Sequence, residues 1–214
     1  MDWEGGLGSF LYDLARRHDD REPEAGRLLR ERWEEIQFGE IQGAYRRYRE
    51  ILNDSLAIWA EERSYHWNQN DGEALVRSMQ SWQPFPDTVP ALRRAKAAGL
   101  KLAIISNTDR SIIEHTLRQL EIDFDDVIVA EDARAYKPSR QPFELALDTL
   151  GERPENVLHV AFGFKYDIGP AQELGFATAW VNRHQEAAPG SERPDHEWRD
   201  LWGLAELAES AREQ

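Results

Sequence analysis

Apolar residues recur at intervals of three and four through the first part of the chain, and the period then changes. From Pro23 to about Ser64, Leu28, Leu29, Trp33, Ile36, Ile41, Tyr45, Tyr48, Ile51, Leu52, Leu56 and Trp59 keep the helical spacing. Gly39 and Gly43 mark a break within that stretch. A short helix is predicted from Ser9 to about Arg17, after a glycine-rich start, and the charged stretch His18–Glu24 reads as a loop. Asn68–Gly72 reads as a turn and Glu73–Trp82 as a further helix. No strand signal precedes Leu100, so residues 1–83 read as an all-helical module.

Pro84, Pro86 and Pro90 punctuate the change. Helices and short apolar runs then alternate. Helix Val89–Ala98 is closed by Gly99, a good C-cap residue. Strand Leu100–Ser106, helix Arg110–Leu120, strand Val127–Ala130 and helix Pro142–Leu150 follow. Strand Val157–Phe162, helix Asp167–Leu174, strand Phe176–Val181 and helix Leu201–Glu213 complete the chain. Such alternation predicts an α/β doubly wound parallel sheet over residues 84–214.

The first strand shows where chemistry belongs. Leu100, Leu102, Ala103, Ile104 and Ile105 form a run suited to a strand buried on both faces. It ends in Ser106-Asn107-Thr108-Asp109. Open parallel sheets bind ligands at the carboxyl ends of their strands. Ser106 and Asn107 therefore offer a hydroxyl and an amide to an anion, beside the simpler reading of a turn that caps the next helix.

Composition narrows the classes. The 214 residues are 41% hydrophobic and carry a net charge of −14. That charge argues against nucleic acid or an anionic membrane as partner. With no cysteine, thiol nucleophiles, disulfides and iron–sulfur clusters are excluded, and a cytoplasmic location is expected. No apolar run approaches the roughly 20 residues of a membrane span.

Four fragments fall at predicted strand ends: Ser106-Asn107, Tyr136-Lys137-Pro138, the run from His159 to Gln172, and Ala179–Arg183. Together with the closing Pro194–Trp198, their order resembles the haloacid dehalogenase superfamily, and within it the 2-haloacid dehalogenase branch. The resemblance covers residues 84–214 well and implies a Rossmann-like core, with the helical half resembling that branch's cap more loosely. It implies that Ser106 and Asn107 hold the substrate or an anionic intermediate. It implies that Lys137 is the cation that steadies the nucleophile, and that Asp167 is the carboxylate of the fourth motif. The alternatives are a solvated lysine and a helix N-cap. Arg32, on a cap helix, is a candidate grip for a substrate carboxylate, against the alternative that it simply faces water.

The departures are as informative. The family's nucleophile is an aspartate ending the first strand, in a DxYGT-like run. No such run is found here, and Asp2 is a poor substitute. Phe162 and Phe164 stand where relatives carry polar groups. The missing strand belongs between Leu100–Ser106 and Val157–Phe162, which leaves an open gap. A homodimer is the expectation, with domain swapping as one way to cover the gap and Phe162 and Phe164 helping to fill it. Two functional readings follow. One is a truncated dehalogenase-like protein that keeps a small-anion or carboxylate pocket for a binding, regulatory or interaction role. The other is a working hydrolase using another carboxylate or a longer native chain. Neither reading calls for a metal or a cofactor.

Overall fold

The structure, a computed structural model, describes residues 1–20, 26–189 and 193–212. Part of the predicted His18–Glu24 loop and the tip of the last helix lie outside them. The chain divides into two units, Met1–Pro84 with Thr108–Gln119, and Phe85–Asn107 with Leu120–Gln214.

The first unit is helical: α1 (Trp3–Arg17), α2 (Gly26–Ile41), α3 (Tyr48–Glu62), α4 (Gln69–Ser78), and the greater part of α6 (Arg110–Leu120). Helix α1 begins six residues earlier than the sequence predicts, at Trp3 rather than Ser9. Glycines normally weaken a helix, by about 1 kcal/mol each. Here Asp2 caps the first turn by accepting from Gly5 N at 2.8 Å. The bare backbone of Gly6 lets Trp82 approach so closely that a Cβ would lie 2.4 Å from the indole. Trp3 then packs edge-on against Trp82, with ring centroids 5.0 Å apart. Leu7, Leu11 and Leu14 point inward at helical spacing and are essentially solvent-free.

The long helical stretch breaks between Ile41 and Tyr48, where Gly43 lies. Helix α3 has no side-chain cap of its own, because Arg47 occupies the N-cap position. The carboxylate of Asp109 supplies one from elsewhere in the chain, accepting from Tyr48 N at 2.8 Å and Arg49 N at 2.9 Å. The predicted cap of α6 is thus diverted: Asp109 precedes α6 but caps α3. An anion at a helix N-terminus meets both free N–H groups and the helix dipole.

The second unit carries α5 (Thr88–Ala97), β1 (Ala103–Ser106), β2 (Asp126–Val129), α7 (Ala130–Ala133), α8 (Gln141–Leu150), β3 (Leu158–Ala161), α9 (Gly169–Glu173), β4 (Ala177–Val181), β5 (His196–Trp198) and α10 (Trp202–Arg212). The predicted alternation holds, and every strand pairing is parallel. The predicted helix from Asp167 is corrected: a π-helical turn, Phe164–Ile168, precedes a short α9. Strand β5 arises from a stretch whose period is too short to announce a strand.

Two core clusters cover opposite faces. Leu92 and Ala95 of α5 and Leu204 and Ala208 of α10 pack with Leu102, Leu158 and Val160. Phe143 and Leu147 of α8 and Ala171 of α9 pack with Ile105, Val157 and Phe176. Ion pairing ties the ends of this unit together. Arg183 forks onto Asp87 at 3.0 and 2.8 Å, and Asp87 also accepts from Leu201 N at 2.8 Å. Burial pushes the Asp87 carboxyl up, but Arg183 and the Leu201 amide hold it below its usual range.

The strands form two separate ladders, β1–β2 and β3–β4–β5. Among the described residues no strand joins β1 to β3. Both flanking strands are only partly buried, whereas most of β4 is fully buried. Phe162 and Phe164 do not fill this interval. Phe164 packs edge-on against Trp180 of β4 at 5.1 Å, and Phe162 stays 44% exposed beside His184. The Trp180 indole N–H donates to the Phe162 carbonyl at 3.0 Å, which fixes the chain on the β4 side.

Candidate functional site

Lys137 lies in the loop between α7 and α8 and is 8% exposed. A buried ammonium needs partners for its N–H donors. Its Nζ donates to Asp167 Oδ1 at 2.6 Å and to the Ile105 carbonyl of β1 at 2.9 Å. One cation therefore ties the end of the two-stranded ladder to the turn that follows β3. It is neither a solvated surface lysine nor a surface ion pair.

Asp167 sits in the π-helical turn, its N–H donating to Gly163 O at 3.0 Å. Its carboxylate is turned to Lys137 and His159 and caps no helix. Burial pushes the Asp167 carboxyl up. The Lys137 ammonium and the His159 hydrogen bond more than offset this, bringing it down to about 2. The group is therefore an anion at neutral pH, and His159 Nε2 donates to Oδ1 at 2.8 Å. A Cβ at position 163 would lie 3.0 Å from Asp167 Oδ2, so Gly163 leaves room for the carboxylate.

Asn107 does something other than what the sequence suggests. Its Nδ2 donates to Lys137 O at 2.9 Å, and its Oδ1 accepts from Lys137 N at 2.7 Å. This two-way clamp fixes the backbone that carries the ammonium, leaving one amide hydrogen for a ligand. Ser106 ends β1 opposite Val129 and is partly exposed. The structure thus brings Ser106, Asn107, Lys137 and Asp167 to the carboxyl ends of β1 and β3.

Arg32, the candidate grip for a substrate carboxylate, lies in the other unit from these four residues. It belongs to the helical unit, where its guanidinium is bound by Glu62 at 2.9 Å and Glu35 at 2.8 Å. A cation already matched by two carboxylates is a poor grip for a third.

His159 is a further member of this site, which the sequence motifs do not single out. Leu158 and Val160 face the α5–α10 side, so strand alternation turns His159 to the opposite face. Phe143 holds its ring there at a centroid distance of 5.2 Å. A histidine within an apolar strand, eight residues before an acid, was the available signal. Among the described residues no group of three acidic or histidine side chains is arranged to hold a metal ion. No described helix is long and apolar enough to cross a membrane.

Comparison with known proteins follows the same outline. A hydrolase family model, haloacid dehalogenase-like hydrolase, matches residues 12–175. An (S)-2-haloacid dehalogenase of Pseudomonas putida is 30% identical over 164 residues, which cover 75% of this chain and 72% of that one. Haloacetate dehalogenase H-2 of Moraxella sp. (strain B) is 27% identical over 146 residues, covering 67% and 65%. The L-2-haloacid dehalogenase of Xanthobacter autotrophicus, solved with chloropropionic acid covalently bound, superposes with a TM-score of 0.79 at 21% identity. That match covers 94% of this chain and 92% of that one, and it shows the shared fold. With the family match spanning most of the sequence and a relative 30% identical over three quarters of it, this chain belongs to the haloacid dehalogenase-like hydrolases.

Proposed function

We propose that the chain binds a small carboxylate or comparable anion at Ser106, Asn107 and Lys137 and does not itself carry out covalent dehalogenation. One observation carries this reading. Among the described residues, Asp167 is the sole acidic side chain paired with Lys137. Its Oδ1 is held by both Lys137 and His159, and its low proton affinity makes it a weak nucleophile. Displacing a halide needs a second carboxylate, free to attack carbon and form an ester that water then cleaves. Loss of a catalytic member typically costs a factor of about a million in turnover. The donors that remain suit binding: the third ammonium N–H, the second amide hydrogen of Asn107 and the Ser106 hydroxyl.

A working 2-haloacid dehalogenase is the second reading. It is favoured by the 30% identity to the Pseudomonas putida enzyme and by the intact Lys137–Asp167 pair. Titration of this chain with L-2-chloropropionate, with chloride release measured in the same samples, separates the two. The binding reading expects saturable heat, weakened about tenfold by K137M, and no chloride above the uncatalysed rate. Sustained chloride release, abolished by D167N, would overturn it in favour of the hydrolase.

A further inference from the structure

Phe162 and Phe164 stand beside the anion-binding residues without a part in binding an anion. Packing accounts for Phe164, which lies edge-on against Trp180 at 5.1 Å. Phe162 is different. At 44% exposure it is the most exposed large apolar side chain among the described residues. Its backbone is nonetheless fixed, because the Trp180 indole N–H donates to its carbonyl at 3.0 Å. The His184 ring meets the Phe162 ring edge-on at 6.1 Å and 86°. The turn that carries His184 is itself closed by Asn182. Its Nδ2 donates to Glu186 O at 2.9 Å, and its Oδ1 accepts from Glu186 N at 2.9 Å. A lone exposed apolar side chain is ordinary. Here an aromatic ring is held open to solvent on a fixed backbone, just past the end of a parallel strand, where such sheets bind ligands.

Its place relative to Lys137 narrows the ligand. Gly163 follows Phe162, and a Cβ on it would lie 3.0 Å from Asp167 Oδ2. Asp167 Oδ1 accepts from Lys137 Nζ at 2.6 Å. The Phe162 Cα is therefore at most about 13 Å from the ammonium. Lys137 reaches Asp167 from the β1 side, where it also bonds the Ile105 carbonyl, and Phe162 meets the turn after β4. A ligand touching both lies across the carboxyl end of β3. The two ends differ in access. Lys137 is 8% exposed and admits only a narrow acid group, whereas a ring against Phe162 stays at the rim. A hydrogen bond of about 3 Å at one end and a ring contact of about 5 Å at the other leave room for a carboxylate and an aryl ring joined by one carbon. A flat ring suits this platform, because aromatic pairs gain more than the area they bury.

We propose that this site takes an arylcarboxylate of the arylacetate class, with its acid group on Lys137, Ser106 and Asn107 and its ring on Phe162, His184 standing at the edge. Phe162 is then the residue that sets specificity. The inference rests on the anion-binding reading and adds to it the group that the anion carries.

The test is calorimetric titration of the full chain with acetate, phenylacetate and cyclohexylacetate. The three share the acid group, and the last two match in size but differ in aromatic character. Phenylacetate should bind about tenfold more tightly than acetate, and more tightly than cyclohexylacetate. F162A, at a position open to solvent, should bring the ratio of phenylacetate to acetate affinity down towards one. K137M should weaken both. Equal affinity for acetate and phenylacetate would overturn the proposal while leaving the anion-binding reading in place. So would cyclohexylacetate binding as tightly as phenylacetate, or a preference that survives F162A. Phenylacetate binding indifferent to K137M would separate the ring contact from the ammonium and overturn the proposal as well. Failure of all three to bind at tens of millimolar would overturn the anion-binding reading, and this inference with it.

Discussion

Replacing Asp167 with asparagine tests the central electrostatic claim, because it keeps shape and removes charge. Lys137 and Asp167 are both below a tenth exposed, so solvent does little to screen them. The carboxyl falls from its ordinary 3.8 to about 2 on folding. At 1.36 kcal/mol per unit, that shift means about 2 kcal/mol of stability at neutral pH. The variant also leaves a buried ammonium without its counter-charge, and breaking one side of a buried pair commonly costs about 3–5 kcal/mol. D167N should therefore lose about 2–5 kcal/mol in urea unfolding at pH 7. The pH dependence supplies the sharper check. A carboxyl depressed in the folded state contributes its stability above its unfolded pKa, and that contribution fades as pH falls toward the folded value. The gap between wild type and D167N should thus be constant above about pH 5 and narrow steadily as pH falls from 4 to 2. K137M paired with D167N in a double-mutant cycle should show a coupling of more than about 1 kcal/mol. An unfolding midpoint unchanged by D167N at pH 7, or a gap indifferent to pH below 4, would refute the reasoning.

Other consequences can be checked separately. D109A removes two charge-assisted bonds to the first turn of α3 and should cost about 1–2 kcal/mol, seen as faster amide exchange at Tyr48 and Arg49. G6A places a methyl where the Trp82 indole already lies and should lower stability by about 1–3 kcal/mol, with a changed tryptophan emission. R32A, at a site 46% exposed, should change stability by less than about 1 kcal/mol and leave anion binding untouched in calorimetry.

The change from helical spacing to alternating strands and helices was legible along the chain, because hydrophobic period is a local property. Helix α6 is found over the predicted residues, and the cores of β1 to β4 fall within their predicted runs. The order of Ser106-Asn107, Lys137 and Asp167 also disclosed the family, since those residue types follow strand ends. What the sequence could not disclose depends on contacts across the chain. The start of α1 turns on Trp82, about eighty residues away, filling the space that Gly6 leaves. Asp109 caps a helix 60 residues earlier, which no local rule anticipates. The use of Asn107 as a clamp, and of His159 as a second donor to Asp167, exists only once β1, β3 and the Lys137 loop converge. The split between the ladders was inferable as a gap, but tertiary packing decided how it is bridged: by side chains above and below, and by one buried ammonium at its end. Period and residue type are written one position at a time, whereas burial and charge pairing belong to whichever residues folding brings together.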